Sequence, residues 1–372
     1  MHIDEFKESF HAVTDDRQSA KVTYCLFEVL FGSLCAVIAG AKGWFDIREY
    51  ILGYHEWFKR NGMFIQGIPA DDTIARIISR MKPEPFHACF INWMSAVHSL
   101  TDGQIVAIDG KILRGSYNRD ARASTIHMIS AYASSNKLVL GQLKTEEKSN
   151  EITAIPELIK LLDIKGTLVT IDAMACQTEI AKTIVDQDAD YLLAVKNNQG
   201  KLRQAVEAAF TTQRAATPER INAEQSHGRV EVRQAHVLSG EMLEGNFSRW
   251  KGLKSLVMVE NFRYQQGKAT LEYRYYISSK LLSAEQAASA VREHWGIESM
   301  HWVLDVTMAE DACQIYKEHG AENLSCLRHI GLNMLRSEPT KLSIVGKQKR
   351  CMMNTSMLEA VLSDGLSEMG KK

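Results

Sequence analysis

Asp109 stands at the end of the apolar run Ile105-Val106-Ala107-Ile108 and is followed by Gly110, Lys111 and, three residues on, Arg114. Four apolar residues in a row read as a buried strand. A buried strand that ends on a carboxylate holds that charge rigidly where the core meets water. An acid there, with Lys and Arg just beyond, suggests a site for a metal and for phosphate. The plainer alternative is a strand closing in an Asp-Gly turn. Leu168-Val169-Thr170-Ile171-Asp172 repeats the pattern, and Glu298 lies in Arg292-Glu293-His294-Trp295-Gly296-Ile297-Glu298, which reads as one helix. Two strand-tip aspartates and a helix-borne glutamate are the hard oxygen ligands that a two-metal phosphoryl-transfer site needs, with room left for the substrate phosphate.

The elements that must position these acids alternate between periods of two and 3.6 residues. Strands are expected over 105–109, 124–133 and 138–143, then a helix over 151–162, with Asn150 as its cap and Pro156 awkward in its interior. A strand over 168–172, a helix over 177–187 and a strand over 191–195 follow. The order β-β-β-α-β-α-β is that of the ribonuclease-H-like fold. Its first and fourth strands lie side by side, which would bring Asp109 and Asp172 together. Residues 1–100 read as wholly helical, with helices over 22–39, 46–60 and 83–97 and one led by Gly67-Ile68-Pro69-Ala70-Asp71-Asp72-Thr73, with Ile74, Ile77 and Ile78 on one face. They suit a packing cap on the next domain better than a helix-turn-helix DNA reader, because the segment is not basic.

The fold class expected is therefore α/β: a ribonuclease-H-like catalytic core with a β-rich insertion, preceded by an all-α N-terminal domain. The domains divide as 1–100, helical; 101–196, first part of the core; 197–280, a basic β-rich insertion; 281–338, the Glu-bearing helix and those after it; and 339–372, a polar C-terminal tail. Strands near 228–237, 256–262 and 270–277 are expected to form a small sheet of their own in the insertion. The cluster Lys347-Gln348-Lys349-Arg350 in the tail reads as solvated surface.

A chain of 372 residues with a net charge of −1 has room for two domains and no global field toward DNA or anionic lipid. The charge is uneven, however. Between Lys196 and Lys280 there are 14 Lys and Arg against 8 Asp and Glu, so a nucleic-acid reading finds its basic surface there. Seven scattered Cys without a Cys-x-x-Cys pair argue for a reducing compartment and against a disulfide framework or zinc site. The first ten residues are mixed and charged rather than a leader, and the apolar run 24–41, interrupted by Glu28, reads as a buried helix rather than a membrane span. The location expected is cytoplasmic and nucleoid-associated, with no membrane partner.

Asp109, Asp172 and Glu298, in that order and on those elements, resemble the DDE transposases of bacterial insertion sequences. The stretches IDGKILRGSY, VTIDAMACQTEIAKTIVDQDADYLLAVKNNQ, HGRVEVR and HWGIESMHWVLDVTMAEDA resemble one group in particular, the H-repeat-associated proteins linked to Rhs elements. GIPADDTIARI looks like that group's associated N-terminal domain, so the resemblance covers nearly the whole chain. It implies a ribonuclease-H-like core, two Mg²⁺ ions (Mn²⁺ substituting), cleavage of double-stranded DNA at element ends, strand transfer into target DNA, and a homodimer when the ends are synapsed. Asp109 would bridge both ions, with Asp172 and Glu298 each favouring one. Many members of the wider superfamily carry Tyr, Arg and Lys at fixed offsets around the glutamate. Here the Arg offset holds His294 and the Lys offset holds Asp305.

Further residues are candidates for DNA contact. Lys111 and Arg114 lie just past the first acid, Lys196 and Asn198 end the last core strand, and Arg229 and Arg233 share one face of an insertion strand. His294 sits one turn before Glu298 and is placed to touch the scissile phosphate or orient the glutamate. Trp295 and Trp302 are expected in the core. His301, Asp305, Glu310 and Asp311 are expected to cap and salt-bridge. Two other functions stay open: a catalytically silent DNA-binding relic of an insertion element, and a ribonuclease-H-like nuclease that hydrolyses without transfer.

Overall fold

Eleven of the thirteen residues of one N-terminal helix, Leu26–Ile38, are buried, which requires partners on every side of it. The computed structural model describes residues 3–18, 20, 22–98, 100–117, 126–145, 151–212, 221–226, 229–243 and 245–366, and there the helices come first: α1 (Ile3–Ser9), α2 (Leu26–Ile38), α3 (Trp44–Gly53), α4 (His55–Arg60), α5 (Asp71–Arg80) and α6 (Pro83–Val97). Ile74, Ile77 and Ile78 form the buried face of α5, as their spacing predicts. The helix expected over 46–60 is two, parted at Tyr54, where the backbone leaves the helical region (φ −111°). No helix among the described residues is long and apolar enough to cross a membrane.

Five strands make the centre: β1 (Ile105–Leu113), β2 (Ile126–Ala133), β3 (Leu138–Thr145), β4 (Leu168–Ile171) and β5 (Asp190–Val195). β1 is antiparallel to β2, and β2 to β3, while β1, β4 and β5 run parallel. Residues 168–171 and 105–108 pair in register, ending on Ile108 opposite Ile171. The parallel strands are joined by α7 (Glu151–Leu161) and α8 (Thr178–Asp186), as parallel neighbours require. The residues of the expected cap Asn150 and of the start of the second strand lie outside the described residues, and Pro156 is accommodated inside α7.

The β-rich stretch does not form a sheet of its own. After α9 (Gly200–Thr212) come β6 (Ile221–Ser226), β7 (Arg229–Ser239), β8 (Ser255–Gln265) and β9 (Lys268–Ser278), and β9 pairs with β5, Val195 opposite Tyr275. The sheet therefore has nine strands among the described residues, in the order β3-β2-β1-β4-β5-β9-β8-β7-β6. The reason is the edge of β5. Its residues Leu192 and Leu193 are buried, and their backbone groups would be unpaired there without β9.

Alternation along β1 divides the core. Val106 and Ile108 face α7 and α8 through Ile155, Leu158 and Ile180. Ala107 faces the other way, toward α11 (Gly296–Trp302), which follows α10 (Ala284–His294) and buries Ile297 and Met300. α12 (Gly320–Ser337) is buried from Gly320 to Leu335 and packs against α2, with Gly331 set on Val37 and Ile38. The segment expected to be a polar tail is two packed helices, α13 (Ile344–Met353) and α14 (Thr355–Leu366), which bury Cys351, Leu358, Val361 and Leu362. Lys347 is not solvated: its ammonium donates to the carbonyls of Leu335 and Glu338 and lies 3.1 Å from the Glu338 carboxylate.

Asn333 of α12 works as a strand partner. Its Oδ1 accepts from the Val139 amide (2.9 Å) and its Nδ2 donates to the Val139 carbonyl (2.8 Å) on the edge strand β3. Asn333→Ala leaves both groups buried and unpaired, at about 1–3 kcal/mol each. Thermal denaturation should show a clear drop in Tm with the helical circular-dichroism signal retained, and an unchanged Tm would contradict this role.

Candidate active site

The register that ends on Ile108 and Ile171 makes Asp109 and Asp172 the next residues on adjacent parallel strands, about 4.8 Å apart in the ladder direction. The crevice beyond the carboxyl ends of parallel strands is where open α/β sheets bind ligands. Asp109 shares the face of Ala107, where α11 lies across β1 and carries Glu298 beside the buried Ile297. The Asp172 Oδ1 accepts from the Met174 amide (3.0 Å), which fixes the turn leaving β4. Burial raises the Asp109 pKa to about 7, and the charges of Asp172, Glu298 and Glu151 push the same way. Glu151, the first residue of α7, is a fourth acid here. Its own pKa is raised by burial and then by Asp172, against the charge of His127.

A buried ion network lies beneath these acids. Lys111, two residues past Asp109 on the same face of β1, puts its ammonium between the carboxylates of Asp305 and Glu310. Asp305 arrives on a π-helical turn, Val303–Thr307, that continues α11. Glu310 is also 3.7 Å from Arg328 of α12. Burial alone would raise the Glu310 carboxyl, but Lys111 and Arg328 outweigh it and bring it down to about 2. His301 sets its Nδ1 3.6 Å from the Asp109 carboxylate, and burial, reinforced by Lys111, lowers its pKa to about 4, so the imidazole is neutral. Gly115 completes the join, because a Cβ there would lie 2.4 Å from the Cys313 carbonyl oxygen, and Ser116 donates to that oxygen (3.2 Å).

Several expected contacts therefore change. Lys111 is not presented to a phosphate, because its charge is engaged by Asp305 and Glu310 inside the fold. His294 does not share an unbroken helix with Glu298: α10 ends on it and α11 begins at Gly296. Its Nδ1 shares a 2.9 Å hydrogen bond with the Thr170 hydroxyl on β4, and burial lowers its pKa against the pull of Asp172. It is turned to Thr170, two residues before Asp172. Trp295 and Trp302, expected in the core, are 44% and 60% exposed, and Arg274 stacks over Trp295 at 5.2 Å. Asp305 and Glu310 do salt-bridge, as expected, and Asp311 lies 3.7 Å from the solvent-facing Arg114.

Lys196 and Asn198 border the site. With Asp172, Asn197, Met174 and Arg203 they line an open cleft of about 590 Å³. Asn198 Nδ2 donates to the Ala173 carbonyl (2.5 Å), tying the loop after β5 to the turn after β4. Arg203, on the first turns of α9, is missed by sequence reasoning, since its distance from any motif hides its place in the cleft. Arg233 donates to Glu231 on its own strand, and Arg263 lies 3.8 Å from the same carboxylate, so this part of the insertion is partly neutralised. The backbone of Arg229 begins β7, and its side chain lies outside the described residues.

No three described His, Cys, Asp or Glu side chains stand as close as a closed metal site holds them. The donors still suit a hard divalent cation. They are carboxylate oxygens at one end of the sheet, and Asp109 is held near neutrality by burial and like charge, which a bound cation would relieve.

A ribonuclease-H-like sheet with one acid inside its first strand, a second just past the neighbouring end of its fourth, and a third on a helix crossing the first defines the class of molecule. The chain belongs to the DDE transposase family: residues 100–334 match the Transposase DDE domain, and residues 7–94 match the domain described as DDE_Tnp_1-associated. It is 44% identical to the "H repeat-associated putative transposase YhhI" of Escherichia coli K12, over 99% of this chain and 100% of that one. It is 46% identical to the "Putative transposase YncI" of Escherichia coli O157:H7, over 100% of this chain and 97% of that one. A solved structure of the piggyBac transposase synaptic complex with hairpin DNA aligns over 100% of this chain and 82% of that chain, with 12% identity and a TM-score of 0.47.

Two measurements check the site. Asp109 keeps its proton to about pH 7 when folded and loses it near its ordinary 3.8 when unfolded. Its contribution is complete below pH 4 and is lost as pH rises through 7, a loss on the order of 2–4 kcal/mol. In chelator, Asp109→Asn should melt above the parent at pH 8, with the gap closing toward pH 4; a gap independent of pH would refute the coupling. Lys111→Ala strands Glu310 and should cost about 3–5 kcal/mol in urea denaturation without any DNA present, whereas a phosphate contact would leave the DNA-free stability unchanged.

Proposed function

We propose that this chain is a metal-dependent DNA transposase that cleaves double-stranded DNA at the ends of its element and joins the freed ends to target DNA. The reading is carried by one observation: adjacent parallel strands deliver Asp109 and Asp172 side by side, on the face crossed by the helix of Glu298. Asp109, Asp172 and Glu298 hold the cations, Mg²⁺ with Mn²⁺ able to substitute. Bound there, divalent ions supply the charge that activates an attacking hydroxyl and stabilises the oxygen leaving phosphorus in line.

The chain's own groups do the rest. Lys196 and Asn198 border the cleft beside Asp172 and suit a DNA backbone passing over it. Arg114, facing solvent past the end of β1, and Arg229 and Arg233, whose backbone lies on β7, are the further candidates for contact with the DNA backbone. His294, held by Thr170, braces β4 two residues before Asp172. Lys111 acts at one remove, fixing β1 to the segment that follows Glu298. Two copies acting on two synapsed ends complete the reading.

The test is a cleavage assay on labelled DNA spanning an element end and its flank, with Mg²⁺ or Mn²⁺. The parent should yield nicked and then joined products, and Asp109→Ala should reduce both at least a thousandfold. Cutting by Asp109→Ala at the parental rate would reject the assignment. Nicking without joining would favour the hydrolytic nuclease, and end-binding without cutting the silent relic.

A further inference from the structure

Gly110 is not the turn residue that an Asp-Gly pair suggests. It lies within β1, paired with Ile129 of β2, and Lys111, Ile112 and Leu113 continue the strand. The space where its side chain would stand is filled from outside. A Cβ on Gly110 would meet Glu151 Oε1 at 2.4 Å and Cδ at 2.6 Å. Strand alternation turns this position toward α7, opposite in sense to Asp109, so Glu151 reaches the strand at the residue after the acid, from the other face of the sheet. Its neighbour Ile152 lines the cleft with Asp172 and Lys196.

A glutamate in the first turn of a helix is favoured there whether it points to solvent or not. Glu151 instead reaches β1 at Gly110, the residue next to Asp109. The charges of Asp109 and Asp172 act on it or are acted on by it. Metal-free, that placement is electrostatically unfavourable, and a residue of any type but glycine at position 110 would forbid it. Among the described residues, His127 on β2 acts on Glu151 against the two acids, so the competing role is a pair that ties α7 to β2.

We propose that Glu151 is a fourth carboxylate of the metal centre, admitted by the missing side chain of Gly110 and serving as an oxygen donor to the cation or to a water in its shell. The inference rests on the reading of Asp109 as a metal ligand. The experiment is a Mn²⁺ titration of the full chain at pH 8 without DNA, with free Mn²⁺ read by electron paramagnetic resonance, on the parent, Asp109→Asn, Glu151→Gln and Gly110→Ala. Glu151→Gln keeps the shape of the side chain and should weaken Mn²⁺ binding about ten- to a hundredfold. Gly110→Ala, which displaces Glu151, should do the same, and Asp109→Asn should lose binding altogether. If Glu151→Gln binds as the parent does while Asp109→Asn does not, Glu151 is no part of the centre. A lowered Tm with parental Mn²⁺ affinity likewise removes Glu151 from the centre and assigns it to the His127 pair. If Asp109→Asn also binds as the parent does, the metal reading of the whole site falls. Gly110→Ala is interpreted only where its melting shows it folded, and the isosteric Glu151→Gln decides the matter by itself.

Discussion

Parallel pairing of β1 with β4 is the constraint from which the remainder of the molecule follows. β4 stops at Ile171, level with Ile108, while β1 runs on to Leu113, so the residues after that last shared step, Asp109 within β1 and Asp172 just past β4, become a pair. Like charges at that spacing repel, and the fold has to hold them. It does so with the hydrophobic layers on both sides of the sheet, Ile155 and Leu158 on one face and Ile297 and Met300 on the other. The same burial makes Asp109 hard to ionise, so the geometry that gathers the acids also creates their demand for positive charge.

Lys111 does not meet that demand, because its charge is taken up beneath the site. By reaching Asp305 and Glu310 it fastens the strand of the first acid to the segment just after the third, and Arg328 carries the fastening into α12. α12 in turn packs on α2, so the N-terminal helices are joined to the core through one continuous apolar cluster. The basic strands are joined differently, by backbone pairing of β9 with β5. A track for DNA on those strands would thus be rigidly continuous with the strand that precedes Lys196.

The strands and their acids are legible in the sequence because an apolar run that stops on Asp is a local pattern, and the β-β-β-α-β-α-β order is a sum of such patterns. What is not legible depends on distant partners. Lys111 looks like a phosphate ligand until Asp305 and Glu310 come to meet it. Gly110 looks like a turn until Glu151 is seen in its place. Trp302 looks like core, but Ile297 and Met300 already supply the buried face of its short helix. The tail looks polar because its average hides the spacing of Leu358, Val361 and Leu362. The insertion looks separate because nothing in β9 names β5 as its neighbour.

The Lys111–Glu310 pair spans 199 residues. Closing so long a loop costs more chain entropy than forming a local helix or hairpin. Without Glu310 the Lys111 ammonium would keep only Asp305 of its two carboxylate partners. A chain that stops short of Glu310 thus carries both aspartates but lacks the buried pair that ties their sheet to the segment after α11.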